Sequence, residues 1–509
     1  MQRALDWIAK GHRGLWLALT IFALCLALGW VGFIASDDAT YVVGAYGWLE
    51  QFPFVGGHGT IRYPLTIPIA LSFLVFGEGE VAAILPSLAY LLVFLFFTWR
   101  VLCGVAGRLA AFVALLLVVT CPLIAVEASI ASIDIPEMTL LMGGLFVLWR
   151  CLETGPDARR LFLVGALVGV AFLARETAIF SVPFFALLFL AGHRFSRWHY
   201  LWIAAGFLAV WSLELVYLGI MTGDPLYRFN IALHHDATID RTIDLAGNVL
   251  VHPLIDPVLV LFINQEFMAL MLFAVPFTAW LCFGASIEPR LRHLARILAL
   301  FGLCWWICVG AVQNLLPLNP RYFMVTSTIA CLLTGIGVAR LLGSQTQRLR
   351  LIGLGALAIL LSTNALGILV ENKNPIFGER QLVQALSDRP GLTVHTDPMT
   401  LYRAEYLLRW SGTTARAVAE PPRDGDFYYY NPARSAEANA HMTAAQQPDY
   451  QPQAGWQLVA AYEPEPDAMV RLLMMTGADA AIPEPIWQKL RYRHEPTHLY
   501  RVGAEPARD

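Results

Sequence analysis

Apolar and polar positions are segregated along this chain. Up to about residue 370 they form long apolar runs parted by short polar stretches; after about residue 372 the runs shorten and Pro, Arg, Glu and Asp become frequent. A helix crossing a bilayer needs roughly 20 predominantly apolar residues. Runs of that order lie near residues 14–35, 80–103, 109–126, 136–152, 160–175, 176–192, 199–221, 257–284, 295–313, 320–342 and 350–370, which predicts about eleven spanning helices. The apolar stretch 64–76 is too short to cross and predicts a juxtamembrane or re-entrant helix. In the tail, helical spacing over 378–388, 398–410 and 467–476 alternates with strand-like runs at 392–395, 427–430, 456–462 and 498–502, around a loop-rich middle near 431–453. The pattern therefore predicts an all-α polytopic membrane domain over residues 1–371 and a soluble mixed α/β domain over residues 372–509.

Charge orients this frame. Lys and Arg collect in cytoplasmic loops of membrane proteins. With the N-terminus inside, the inner loops carry Arg100 and Arg108, then Arg150, Arg159 and Arg160, then Arg194 and Arg197, then Arg290, Arg292 and Arg296, and finally Arg340, Arg348 and Arg350. The outer segments before the tail carry only Arg62, Arg175, Arg228, Arg241 and Arg321. Making 64–76 a span, or fusing 160–192 into one helix, breaks this pattern. The reading places the tail outside, and takes the run 15–35 behind Arg3, Lys10 and Arg13 as an uncleaved signal anchor.

Composition agrees: 57% of the 509 residues are apolar and 14% charged, against typical globular values near a half and a quarter. The net charge of -3 hides the distribution that carries the information, and no nucleic-acid partner is expected. All eight cysteines fall in or at the ends of apolar runs, so the tail has no disulfide framework and the thiols read as buried.

Polar residues that need a reason for their position gather on the outer side. Arg62, Arg175 and Arg321 each adjoin a membrane boundary, where a cation is costly unless it is paired or faces a polar cavity. Guanidinium groups there suit a phosphate held at headgroup level. Asp37 and Asp38 directly follow the first span, and Asp134 sits at the mouth of the fourth, where it could also serve as a helix cap. A carboxylate in a partly dry site can take a proton from an acceptor hydroxyl, and an acidic pair can instead hold a divalent cation through oxygen ligands. His58 among glycines, with Glu127 and Tyr63, could line the site. His234, His235 and Asp236 form a weaker metal candidate, because neighbouring side chains in an extended loop diverge. Glu214, inside an apolar helix, calls for an interior partner that the sequence does not name.

In these motifs the chain resembles the membrane-embedded GT-C glycosyltransferases. The nearest branch is that of bacterial protein O-mannosyltransferase and lipid A aminoarabinose transferase, the dolichyl-phosphate-mannose mannosyltransferase-like proteins. The residues carrying the resemblance are Asp37-Asp38, Arg62-Tyr63-Pro64-Leu65, Ser132-Ile133-Asp134-Ile135-Pro136, Leu173-Ala174-Arg175-Glu176-Thr177 and Pro320-Arg321-Tyr322-Phe323. Asp38 stands where Glu is common and Arg175 where Lys is common; both keep the charge. The resemblance spans roughly residues 14–371 and leaves the tail unmatched.

It implies transfer of a sugar from a polyprenyl-phosphate donor to a hydroxyl of a lipid, glycan or protein, with inversion, on the outer face of a bacterial inner membrane. Asp37 would act as general base, Asp38 would orient or replace it, and Asp134 would position acceptor or sugar. Arg62, Arg175 and Arg321, with Tyr322, would hold the departing phosphate. A flippase or transporter of lipid-linked sugars, which would concentrate polar groups near the midplane, and a polysaccharide ligase or polymerase are the competing readings.

Overall fold

The computed structural model describes residues 7–8, 10–234, 251–252, 254–312, 318–371, 374–441, 450–491 and 494–503. They group into two compact units. One comprises Met1–Trp30, Thr40–Val75 and Ala83–Glu371; the other comprises Val31–Ala39, Phe76–Ala82 and Asn372–Asp509.

The first unit is helical, and every apolar run marked above carries helix. Six helices are long and apolar enough to cross a membrane: Glu80–Val105, Asp134–Thr154, Arg197–Thr222, Pro289–Ala311, Pro320–Leu342 and Gln347–Glu371. Arg108–Thr120 and Pro122–Ala128 make one further path bent by 67°, with the bend where Pro122 lacks the amide that would continue the ladder. Shorter apolar helices cover Arg13–Gly29, Tyr63–Phe76, Glu176–Ala191 and Leu270–Phe283. At about 1.5 Å per residue, Tyr63–Phe76 reaches roughly 21 Å, short of a ~30 Å hydrocarbon core.

The stretch 160–192 is divided, as charge required. Ala158–Ala174 stops at Arg175, whose extended backbone (φ -154°, ψ 135°) starts a 3₁₀ turn over Glu176–Ser181. The run 257–284 is also divided, which its apolar content did not suggest. Asp256–Ile263 and Leu270–Phe283 are separate helices. The interruption is polar: Asn264 accepts from the Glu266 amide at 3.1 Å, and Gln265 donates to Glu371 at 2.7 Å.

Ala158–Ala174 and Arg197–Thr222 pack backbone to backbone. Gly165 lies against the Ile203 carbonyl and Gly206 against the Phe162 carbonyl, leaving no room for a Cβ at either position. Close approach through small residues is how helices associate where lipid competes for apolar contact. It brings the helix ending at Arg175 beside the helix carrying Glu214.

The second unit is built on a mixed five-stranded sheet of order β2-β1-β3-β5-β4. The strands are β1 Thr393–His395, β2 Arg416–Val418, β3 Phe427–Tyr430, β4 Gln457–Tyr462 and β5 Thr497–Arg501. β1 runs parallel to β2 and β3, and β5 antiparallel to β3 and β4. Leu382, Leu386, Val394, Ala404, Tyr429 and Leu499 form its core. Four strands and the helices Phe377–Ser387, Pro398–Ser411 and Ala468–Thr476 match the sequence expectation. β2 and the helix Glu484–Arg491 were not anticipated, and the loop-rich middle begins with a ten-residue helix, Pro432–His441. Glu80 belongs to this unit, where it pairs with Arg380 at 2.6 and 2.9 Å and accepts from the Phe33 amide at 2.7 Å.

Candidate functional site

Four helix ends supply the charged residues of the first unit. Arg62 precedes Tyr63–Phe76, Asp134 opens Asp134–Thr154, Arg175 follows Ala158–Ala174, and Arg321 lies in the 3₁₀ turn Pro320–Phe323. Side-chain contacts join Asp134, Arg175 and Arg321 into one cluster. Arg175 forms a buried ion pair with Asp134, and its guanidinium sits over the Tyr322 ring, 4.2 Å from the centroid. Arg321 reaches the same ring at 5.8 Å. The backbone of Tyr322 is fixed from behind by Trp305, whose indole donates to its carbonyl at 2.8 Å, and Asn319 caps the Arg321 amide at 3.1 Å.

Asp134 is therefore not spent on capping its own helix. The cap position is Ile133, which offers no side-chain bond, and the Asp134 carboxylate faces Arg175. Ser132 ties it to Glu127: the hydroxyl donates to the Glu127 carboxylate and lies 3.4 Å from Asp134 Oδ2. Thr177 donates to the buried Glu137 at 2.6 Å.

A second chain of charges starts at Arg62. It pairs with Glu176, and its Nη2 lies 3.1 Å from His58 Nε2. Glu176 is shared with Arg228 at 2.8 Å, and Arg228 pairs with Glu214 at 2.6 Å. Arg228 also donates to the Ile61 carbonyl at 2.8 Å and the Leu173 carbonyl at 3.3 Å. Only 1% of Arg228 is exposed. Glu214 thus has its partner, and Arg228, which in sequence reads as one of two arginines of a long outer loop, is among the most deeply buried charges of the unit. Tyr63 stands beside it, its ring 5.9 Å from the guanidinium, with a buried hydroxyl that finds no partner among the described residues.

The acidic pair lies in the second unit, at the start of the helix Asp37–Glu50, and its two members differ. Asp37 is exposed. Asp38 is buried and accepts from the amides of Ile34 (2.7 Å), Ser36 (2.7 Å) and Ala39 (3.0 Å). Burial pushes its carboxyl up to about 6, against the opposing pull of those three amides. Asp38 is committed to holding the loop, while Asp37 beside it faces solvent.

For a metal, the described residues offer no group of three or more His, Cys, Asp and Glu side chains arranged to hold one. His235, Asp236, Arg241 and the side chain of His234 lie outside the described residues.

Residues 66–217 match the family described as dolichyl-phosphate-mannose-protein mannosyltransferase, a stretch that includes Asp134, Arg175, Glu176 and Glu214. No curated protein matches the chain. Among solved structures it is similar to ArnT from Cupriavidus metallidurans bound to undecaprenyl phosphate, with a TM-score of 0.56 at 11% identity, covering 89% of this chain and 97% of that one. The apo state of the same protein gives 0.54 at 11%, covering 90% and 96%. The apo oligosaccharyltransferase of Archaeoglobus fulgidus gives 0.50 at 9%, covering 89% and 74%. At such identities the likeness is one of fold. The chain has the GT-C architecture, as its motifs suggested.

Proposed function

We propose that this chain is a membrane glycosyltransferase that moves a sugar from a polyprenyl-phosphate donor to an acceptor hydroxyl. The observation that carries the reading is the set of arginines at adjoining helix ends. Arg175 and Arg321 share the Tyr322 ring, and Arg62 is linked to them through Glu176, the residue next to Arg175. Planar guanidinium groups match the oxygens of a phosphate. A lipid-linked phosphate cannot leave the bilayer, so its head must be met at a helix end. The family match over residues 66–217 and the undecaprenyl phosphate held by the ArnT neighbour support a donor of this class.

In the proposed reaction Asp37 accepts the proton of the acceptor hydroxyl, whose oxygen attacks the anomeric carbon from the face opposite the phosphate. The new C–O bond forms as the bond to the phosphate oxygen breaks, inverting the centre. Charge that develops on the leaving phosphate is stabilised by Arg62, Arg175 and Arg321; removing one such donor typically costs 10²–10³ in rate. Asp134 holds Arg175 in place, and Asp38 holds the loop that presents Asp37. The charge distribution supports a bacterial inner-membrane location with a cytoplasmic N-terminus and a periplasmic tail domain, residues 372–509, beside a catalytic domain of residues 1–371. A lipid, a glycan or a protein supplies the hydroxyl.

The test is transfer from a radiolabelled polyprenyl-phosphate sugar by the purified chain, beside Asp37→Asn. Loss of at least ~100-fold in kcat with little change in donor KM is expected if Asp37 is the base. Undiminished transfer by Asp37→Asn refutes that role, and no transfer from any monophosphate donor refutes the reaction.

A further inference from the structure

A cavity of about 620 Å³ opens between the end of the helix Val182–Ala191 and the start of the helix Pro289–Ala311. Both positions lie at the helix ends remote from the arginine cluster: Arg175 comes before the first helix and Arg321 after the second. Its lining combines apolar side chains, Leu187, Ile297 and Leu300 among them, with Arg194, Arg292 and Arg296, and includes no carboxylate.

Among the described residues Arg292 donates to the backbone carbonyls of Ala285 (3.2 Å) and Ile287 (2.7 Å), and its buried Nε finds no acceptor there. Arg296 gives its Nε to the Cys282 carbonyl at 2.9 Å. Among the described residues none of the three pairs with an acidic side chain, although Arg290 nearby is bonded to both oxygens of Glu153. Arg194 keeps a left-handed backbone (φ 67°), a conformation that a side-chain-bearing residue rarely holds. Beside it His193 and His293 touch through their Nε2 atoms at 2.9 Å, and Tyr200 donates to the His193 carbonyl at 2.7 Å, which fixes this corner.

An acidic lining partner would neutralise these guanidinium groups from within, and its absence among the described lining residues leaves their charge facing the cavity and its surroundings. Three cations and several apolar side chains in one lining define its chemistry: one anionic head and a hydrocarbon body. Basic pockets between helices at the cytoplasmic side are suited to anionic lipid headgroups, and the charge distribution puts this end on that side. We propose that the cavity is a binding site for an anionic phospholipid of the surrounding leaflet, its phosphate held by Arg194, Arg292 and Arg296 and an acyl chain lying along Leu187, Ile297 and Leu300. It is separate from the proposed donor site and does not depend on the glycosyltransferase reading.

The test uses the full chain purified in detergent and delipidated, with cardiolipin, phosphatidylcholine and inorganic phosphate as probes and bound lipid counted by native mass spectrometry. Cardiolipin is expected to be retained and to raise the thermal unfolding midpoint. Phosphatidylcholine at equal concentration and millimolar phosphate are expected to do neither. The combined variant Arg194→Gln, Arg292→Gln, Arg296→Gln should lower cardiolipin affinity at least tenfold. Leu187→Trp, which fills the slot and leaves the arginines intact, should lower it as well while unfolding at the wild-type midpoint without lipid; it decides the matter if the triple variant fails to fold. Equal cardiolipin retention by Leu187→Trp or by a folded triple variant overturns the proposal. So does protection by phosphate or phosphatidylcholine as strong as that by cardiolipin.

Discussion

Replacing Arg228 by Met tests whether the buried charge network holds in place the arginines proposed to bind phosphate. Arg228 contacts Glu214 through two nitrogens (2.7 and 2.6 Å), Glu176 at 2.8 Å, and the carbonyls of Ile61 and Leu173. The substitution leaves the Glu214 side chain, itself only 1% exposed, as an uncompensated charge in an apolar helix. Breaking a buried pair from one side costs about 3–5 kcal/mol. The two carbonyl bonds would each add about 1 kcal/mol if independent, but groups in one network are not additive, so about 3–5 kcal/mol is the expectation.

A double variant separates stability from positioning. Replacing both members of a buried pair by apolar residues is often neutral or stabilising, so Arg228→Met with Glu214→Met should regain most of the lost stability, a coupling of about 2 kcal/mol or more. Transfer activity should stay low. Ile61 directly precedes Arg62, and Leu173 lies two residues before Arg175; without Arg228 these two segments are no longer tied to one group, and a displacement of about 1 Å at a reacting centre can cost roughly 10²-fold. The assays are unfolding in detergent followed by tryptophan fluorescence, and donor-dependent transfer. A single variant as stable as wild type, or a double variant no more stable than the single, refutes the network energetics. Full activity in the double variant refutes the positioning role.

Other outcomes follow from individual groups. The Asp38 carboxyl is pushed up to about 6 by burial, above its unfolded value near 3.9, so its stabilising contribution is complete below pH ~4 and is lost as pH rises through 6. Asp38→Asn should flatten that part of the stability–pH curve, and an unchanged slope between pH 4 and 6 would show that Asp38 is not its source. In the second unit the Tyr429 hydroxyl donates to the Gly378 carbonyl at 2.6 Å and lies 2.7 Å from Thr497 Oγ1. Tyr429→Phe strands that carbonyl and should cost roughly 1–3 kcal/mol, seen as faster proteolysis of the tail in the full chain; wild-type resistance contradicts this. Glu176→Gln keeps the acceptor but removes the charge between Arg62 and Arg228, and should tighten inhibition by free polyprenyl phosphate several-fold. Weaker or unchanged inhibition means that Glu176 does not compete with the phosphate.

How much was legible in the sequence differed by the range of the interaction. Membrane helices announce themselves because burial in lipid demands an apolar residue at nearly every position, and the break at Arg175 was legible because charge parity fails without it. The division at Asn264 was not, since the orienting rule weighs Lys and Arg and this turn has neither; the string Asn264-Gln265-Glu266 was the available sign. β2 is three residues long, too short for an alternation to register. Among the site residues, Arg62, Asp134, Arg175 and Arg321 could be chosen because each adjoins a predicted helix end. Arg228 could not, because a loop arginine looks the same whether solvated or buried. Its one signal was the flanking pair Tyr227 and Phe229, which turns a polar loop into a segment with something to bury. The differing fates of Asp37 and Asp38 depend on the backbone turn at residues 34–36, which no side-chain pattern reports.

The network also bears on how the proposed phosphate site can gather its cations. Several buried guanidinium groups at adjoining helix ends would repel one another and resist desolvation. Here each of the deepest is already matched: Arg175 by Asp134, Arg62 by Glu176, and Arg228 by Glu176 and Glu214. The carboxylates lower the cost of holding the arginines ready, and they also weaken the attraction for an incoming phosphate. For a transferase that weakening is useful, because the product of each proposed turnover is a polyprenyl phosphate that must depart before the next donor enters. Tight product binding would limit the rate, whereas a cluster with its own counter-charges favours the phosphate chiefly when negative charge grows on it as the sugar leaves. On this reasoning Asp134 and Glu176 set the balance between capture and release, and the arginines alone would bind well and turn over poorly.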